Sequence, residues 1–204
     1  MDYLVITQKN LKSAIAKATA VLRESGIVVY PTDTLYGLGC DALNEEAIRR
    51  VFAAKKRQED KPLSIAVTGL GMMERYAHVT PEAKSLAEKF LPGALTLILR
   101  KRDLPDVLTS NQEKVAIRVP DNEVALGLIE SLGRPITATS ANLSGMKPPI
   151  TPQEAMRQVE ADLILDGGKL ESRVPSTIVD LSGRPRPLRK GRIKWDDIER
   201  VISA

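Results

Sequence analysis

The sequence holds one cysteine, Cys40, and one histidine, His78. A lone cysteine excludes a disulfide within the chain, and one residue of each kind leaves cysteine/histidine zinc sites and Cys–His nucleophile pairs short of parts. Any chemistry must therefore run without imidazole unless His78 supplies it, and "AHVT" places His78 beside a helix cap, as a surface or packing residue. Aromatic residues make up only 3% of the chain, which argues against a surface that grips single strands by stacking many bases. No apolar run approaches the roughly 18 residues of a membrane span. The opening "MDYLVITQKN" lacks the basic end and apolar stretch of a signal peptide. The expectation is a cytoplasmic protein with no membrane contact, in which the glycosylation pattern Asn142-Leu143-Ser144 is coincidence.

What is present is an ordinary globular composition: 204 residues, 43% apolar and 27% charged, with a net charge of +4. That length suits one domain over 1–204. Leu11, Ile15, Ala18 and Leu22 share a helical face, with Asn10 as cap and Gly26 as stop. "IVVY" follows as a buried strand. "NEEAIRRVFAAKKR" reads as a helix capped by Asn44, and "PLSIAV" as the next strand. A helix from Thr80-Pro81, strands over "ALTLILR" and "KVAIRVP", a helix over "NEVALGLIESLG" and the strand "PITATS" continue the alternation. Thr151 and Glu154 have capping-box spacing around Pro152; "LILD" and "STIVDL" are strands, and "WDDIERVIS" is a last helix. Interleaved elements of this kind predict an α/β domain on a twisted mixed β-sheet flanked by helices. "SGMKPPITP" and "GRPRPLRKGR" read as loops of that domain.

Five stretches can carry chemistry. "VVYPTDTLYGLGCDA" formally contains G-x-G-x-x-A, but residues 31–36 separate the strand end at Tyr30 from Gly37, which breaks the dinucleotide fingerprint. There is no P-loop either. The stretch remains a strand end presenting short hydroxyl and carboxylate side chains, or a Thr/Asp turn that satisfies only itself. In "AKKRQEDKPLS", Lys55 and Arg57 end a helix as dipole complement, while Lys61 before Pro62 can bring a third cation to the same sheet edge, a set that suits a polyphosphate. Arg118 in "VAIRVP" either points to solvent or finds an anion, for which a bidentate carboxylate is the natural partner. "PITATSANLSG" ends a strand in Thr139, Ser140, Asn142 and Ser144, either a Ser/Asn turn or the equipment of a phosphate or ribose site. Ser176 opens a strand trailed by Arg189, Lys190 and Arg192, which form a cationic surface tail or part of the same site.

"PTDTLYGLG", "KKRQEDKP", "PGALTLIL", "VAIRVP", "TSANLSG", "STIVDL" and "LRKG" occur in an order and spacing that strongly resembles the YrdC/TsaC family of L-threonylcarbamoyladenylate synthases, over about residues 10 to 192. The resemblance implies a YrdC-like fold with a concave basic face. It implies a reaction of L-threonine, bicarbonate or CO2, and ATP that gives threonylcarbamoyl-AMP and pyrophosphate, with Mg2+ arriving on ATP and no metal site of the protein's own. Separate transfer proteins then deliver the group to adenosine 37 of tRNAs that read ANN codons. By position, Thr34, Arg118, Ser176 and the Ala138 backbone fall on threonine-binding places. Lys55, Arg57, Lys61, Lys114, Ser140, Asn142, Pro148 and Arg189 fall on ATP-binding ones, with Lys55 and Arg57 acting electrostatically. Ala66 stands where many relatives carry histidine. The end at Ala204 matches the short form of the family. The rival expectation is a module that holds tRNA or double-stranded RNA in the same basic concavity, by contacts that weaken steeply with salt; a weak RNA contact also fits the synthase as an accessory property.

Overall fold

The structure is a computed structural model that describes residues 2–203. Met1 and Ala204, the residue on which the short-form expectation turns, lie outside the described residues. The first half runs β1 (Asp2–Val5), α1 (Leu11–Arg23), β2 (Val28–Tyr30), β3 (Gly37–Gly39), α2 (Glu45–Ala54), β4 (Ile65–Ala66), α3 (Leu70–Tyr76), α4 (Pro81–Phe90) and β5 (Leu95–Arg100). The second half adds α5 (Asp106–Thr109), β6 (Lys114–Arg118), α6 (Glu123–Leu132), β7 (Ile136–Thr137), β8 (Thr139–Ser140), α7 (Pro152–Met156), β9 (Leu163–Asp166), β10 (Thr177–Asp180), β11 (Arg186–Arg189) and α8 (Trp195–Ile202). Among the described residues no helix is long and apolar enough to cross a membrane.

The strands form two mixed sheets where the sequence suggested one. The first has the order β1-β9-β2-β3-β8 and the second β11-β10-β5-β6-β4-β7. They meet at "ITATS", which pairs antiparallel with β4 through Ile136 and Thr137, then antiparallel with β3 through Thr139 and Ser140. The chain changes sheet at Ala138, and that crossing splits the sheet in two.

Register explains what each face of the second sheet does. Alternate residues of a strand point to opposite faces. Leu95, Leu97, Leu99, Val115, Ile117, Ile65 and Val179 therefore enter the main core. Their neighbours Thr96, Ile98, Lys114, Ala116, Arg118, Ala66 and Ile178 face a cavity. A second core cluster joins α1 to α6 through Ala14, Ala18, Leu22, Val124 and Leu128. Their approach is close: a Cβ at Gly127 would lie 2.4 Å from Ile15 Cδ1.

The capping expectations hold in part. Asn44 Oδ1 accepts from Ala47 N (3.1 Å), and Thr80 Oγ1 from Ala83 N (3.2 Å), as read from the sequence. Asn10 does not cap α1; its side chain accepts from Thr7 N and donates to the Val5 carbonyl, holding the turn before the helix. Thr151 caps α7, but the Glu154 carboxylate reaches past it to Ile150 N (2.9 Å) and forms an ion pair with Arg173, so half of the capping box is redirected. Three strands, β1, β3 and β11, escaped the sequence reading. β11 lies inside a Pro/Arg-rich stretch, which an edge strand tolerates.

β3 is the Gly-Leu-Gly stretch of residues 37–39. It pairs antiparallel with β2, placing Gly37 opposite Tyr30. A Cβ at Gly37 would sit 2.8 Å from Tyr30 Cζ, and one at Gly39 2.7 Å from Tyr30 Cε1. The two glycines are flat ground for a buried tyrosine ring, whose hydroxyl donates to the Thr137 carbonyl (2.9 Å). They lock β2 and β3 to the crossing strand.

Candidate active site

A cavity of about 330 Å³ opens over the second sheet. Its floor is small and apolar at Ala66 and Ala116, and four of its lining side chains, Arg57, Lys114, Arg118 and Arg189, are basic. None of the described lining residues is aspartate or glutamate. The volume is that of a small-molecule site.

The Thr32–Thr34 loop roofs one end. Thr32 satisfies the turn itself: its hydroxyl accepts from the backbone N–H groups of Thr34 and Leu35 and donates to the Leu35 carbonyl (2.7 Å). That frees Thr34 and Asp33 to face Arg118. Arg118 Nη1 donates to Thr34 Oγ1 (2.9 Å), and Nη2 to Asp33 Oδ1 (2.7 Å) and the Gly93 carbonyl (3.3 Å). Arg118 is 7% exposed, and its Nε is buried without a partner among the described residues. Of the two readings of "VAIRVP", the solvent-facing one fails because Arg118 is buried, and the anion-pairing one holds. Arg118 does lie on the face opposite the core, and that face is the inside of the cavity. The carboxylate partner is Asp33, engaged through one oxygen and not as a bidentate pair.

The "LRKG" segment closes the adjacent wall. Arg189 donates from Nη2 to Ser176 Oγ (2.9 Å) and from Nε to the Ser176 carbonyl (3.0 Å), while Thr96 Oγ1 and Ser176 Oγ lie 2.8 Å apart. Burial, and then the Arg118 charge, disfavour the Arg189 cation and lower its pKa. Such a cluster welcomes an anion. Gly191 permits the approach, since a Cβ there would lie 2.4 Å from both the Ser176 carbonyl carbon and Thr177 N. Lys114 lines the same cavity, with Nζ 3.5 Å from Asp180 Oδ2. Burial would raise the Asp180 carboxyl, but hydrogen bonds from Ser182 and Arg186 and the charge of Lys114 outweigh it and hold it below the usual range.

The end of α2 distributes its cations differently from expectation. Arg57 N bonds to the Phe52 carbonyl and Lys56 N to the Ala53 carbonyl, a Schellman closure with Lys56 left-handed at φ 47°. Past that turn Arg57 reaches the cavity, fixed by donation to the Lys61 and Pro62 carbonyls (2.9 Å each). Lys61 itself is exposed and is not among the lining residues, so it offers its carbonyl to Arg57 and no ammonium to the cavity. Lys55 turns inward, donating to the carbonyls of Ser140 and Asn142 (the latter 2.8 Å). Burial, and secondarily the Arg57 charge, pull its pKa down to about 7. A lysine in the left-handed region is strained, so Lys56→Gly, at an exposed position, is expected to stabilise the protein by about 0.5–1 kcal/mol in chemical denaturation without changing activity.

Ser140 lines the cavity. Asn142 spends its amide on the Leu143 and Met146 carbonyls (2.8 and 2.9 Å) and leaves Oδ1 buried without a partner among the described residues. The Pro148 carbonyl accepts from Arg173 (2.6 Å), outside the lining set. The Ala138 backbone, expected to serve a ligand, is occupied by Ser64, which accepts from its N–H (2.8 Å) and donates to its carbonyl (2.9 Å). His78 accepts from Arg102 in a separate groove. Thr34, Arg57, Lys114, Arg118, Ala138, Ser140, Ser176 and Arg189 come together in the lining; Lys55, Lys61, Asn142 and Pro148 are not among the lining residues. Asp33, Ser64 and Thr96 were missed. Thr96 carried a signal as the polar residue inside an apolar strand.

A family model, Sua5_yciO_yrdC, described as telomere recombination, matches residues 20–191. A Pyrococcus abyssi protein named threonylcarbamoyl-AMP synthase is 42% identical over 190 residues, covering 91% of this chain and 56% of that one. One of the same name from Bacillus subtilis is 41% identical over 196 residues, covering 92% and 56%. This chain thus spans little more than half the length of those relatives. The crystal structure of P. abyssi Sua5 with L-threonine superposes with a TM-score of 0.90 at 39% identity, over 98% of this chain and 60% of the other. Escherichia coli YciO gives 0.82 at 30% identity, over 95% and 96%. With the family model covering most of its length and relatives near 40% identity, this chain belongs to the Sua5/YciO/YrdC family.

Proposed function

We propose that the chain is an L-threonylcarbamoyladenylate synthase, converting L-threonine, bicarbonate and ATP into threonylcarbamoyl-AMP, pyrophosphate and water. The observation that carries this reading is one cavity lined by four basic side chains, Arg118 bonded to Thr34 together with Arg57, Lys114 and Arg189, and by no aspartate or glutamate among the described residues. A threonine carboxylate pairs with Arg118, whose side chain lines the cavity. The threonine amine adds to CO2 from bicarbonate to give a carbamate. The carbamate oxygen forms a bond to the α-phosphorus as the bond to pyrophosphate breaks. The barrier lies in bringing anions together, so positioned cations matter more than a titrating base, and the absence of histidine from the lining fits that demand. Mg2+ enters with the triphosphate; among the described residues no group of three or more His, Cys, Asp or Glu is placed to hold a metal ion.

The product would then pass to threonylcarbamoyl-transfer proteins acting on tRNA. The burial of Arg118 and the small volume of the cavity favour a small-molecule site over the RNA-binding reading. Pure protein given ATP, bicarbonate and labelled threonine is expected to release pyrophosphate only when threonine is present. Release that ignores threonine overturns the proposal.

A further inference from the structure

We propose that Lys55 is a positioning residue whose ammonium staples the Ser140 and Asn142 carbonyls, fixing the 140–144 loop of the cavity wall before any nucleotide arrives. The staple stands on geometry alone; what the loop then holds rests on the synthase reading above. Lys55 is 2% exposed and does not line the cavity, whereas Arg57, two residues on, does. Both its chain and its side chain grip the same loop, for the Lys55 carbonyl accepts from Ser144 N (3.0 Å) while Nζ donates to Ser140 and Asn142. A buried ammonium without a carboxylate partner is costly unless oxygens are held against it, and here backbone carbonyls supply them. A phosphate-binding lysine needs a reachable head on a mobile stem. This one has neither.

The left-handed Lys56 explains how adjacent cations take different jobs. At φ 47° the chain reverses after α2, so the Lys55 side chain goes under the loop and Arg57 goes to the cavity. Ser140 is the loop residue that lines the cavity, and its carbonyl is one of the two that are stapled. Loosening Lys55 must therefore loosen Ser140.

Hydrogen exchange on the ligand-free protein separates this from a direct phosphate contact. In Lys55→Met, amides of the 141–144 loop are expected to exchange about 10-fold faster or more, with the rest of the chain near wild type. Lys55→Gln, which keeps neutral donors, is expected to fall between, and it carries the test if the methionine variant does not fold. Wild-type protection of the loop in the folded variants overturns the proposal. Binding supplies the second arm: the positioning role predicts comparable losses, about 10-fold, for ATP and AMP, an unchanged salt dependence and unchanged threonine binding. A loss confined to ATP, with a shallower salt dependence, overturns it in favour of a phosphate contact. Should threonine-dependent pyrophosphate release be absent while the loop still loosens in Lys55→Met, the synthase reading fails and the staple stands.

Discussion

Arg118→Ala is expected to lower kcat/KM for threonine by about 100- to 1,000-fold while leaving KM for ATP within a few-fold of wild type, the cost of removing one partner from a buried charged contact. The split is expected because Arg118 is bonded to Thr34 and Asp33, on the proposed threonine side, while Arg57 is bonded to the 61–62 carbonyls, on the proposed phosphate side. The same change strands the Asp33 carboxylate, whose side chain is 11% exposed and whose ion-pair partner is Arg118. Loss of about 3–5 kcal/mol of stability should accompany it. Asp33→Asn combined with Arg118→Ala separates the two effects, since it removes the orphaned charge: stability should recover substantially and threonine turnover should not. Steady-state kinetics in threonine and in ATP, with chemical denaturation of both variants, make the check. Near-normal threonine kinetics in Arg118→Ala would remove Arg118 from the site.

Much of this site was legible because its parts obey local rules. "KVAIRVP" read as a strand with Arg118 as its candidate site residue, and Asn44 and Thr80 announced their helices. What local pattern cannot say is what lies across from a face. The polar side of β6 looked like solvent or anion site with equal force, and only the Thr32–Thr34 loop from the other sheet made it an interior. The same limit hid the partner of Gly37, since a glycine is read as conformational freedom when the reason for it, the Tyr30 ring, is its opposite number on another strand. Lys55 and Arg57 illustrate a third case. The cluster of charge was visible, but their division of labour depends on a left-handed residue at a position where nothing in "KKR" suggests one. Likewise the split into two sheets is decided at Ala138, by a serine 74 residues away in sequence.

Gly191→Ala should be the most damaging single methyl in the molecule. Its Cβ would meet Ser176 and Thr177 main-chain atoms at 2.4 Å, and backbone cannot swing aside as a flexible side-chain tip can. The glycine is needed for closeness and not for an unusual dihedral. The strain must be relieved by moving the 189–192 segment outward, which stretches the bond from Arg192 N to the Pro175 carbonyl (3.2 Å) and pulls Arg189 from Ser176. Overpacking of this kind costs about 1–3 kcal/mol, read as a lower denaturation midpoint at unchanged slope. Because Arg189 and Ser176 serve both ends of the proposed reaction, kcat/KM should fall for ATP and threonine together, unlike the one-sided loss in Arg118→Ala. Gly183→Ala is the control: no atom lies within 4 Å of its added Cβ, so stability and kinetics should stay near wild type. If Gly191→Ala matched that control, the "LRKG" segment would not lie against Ser176, and Arg189 would lose its place in the cavity wall.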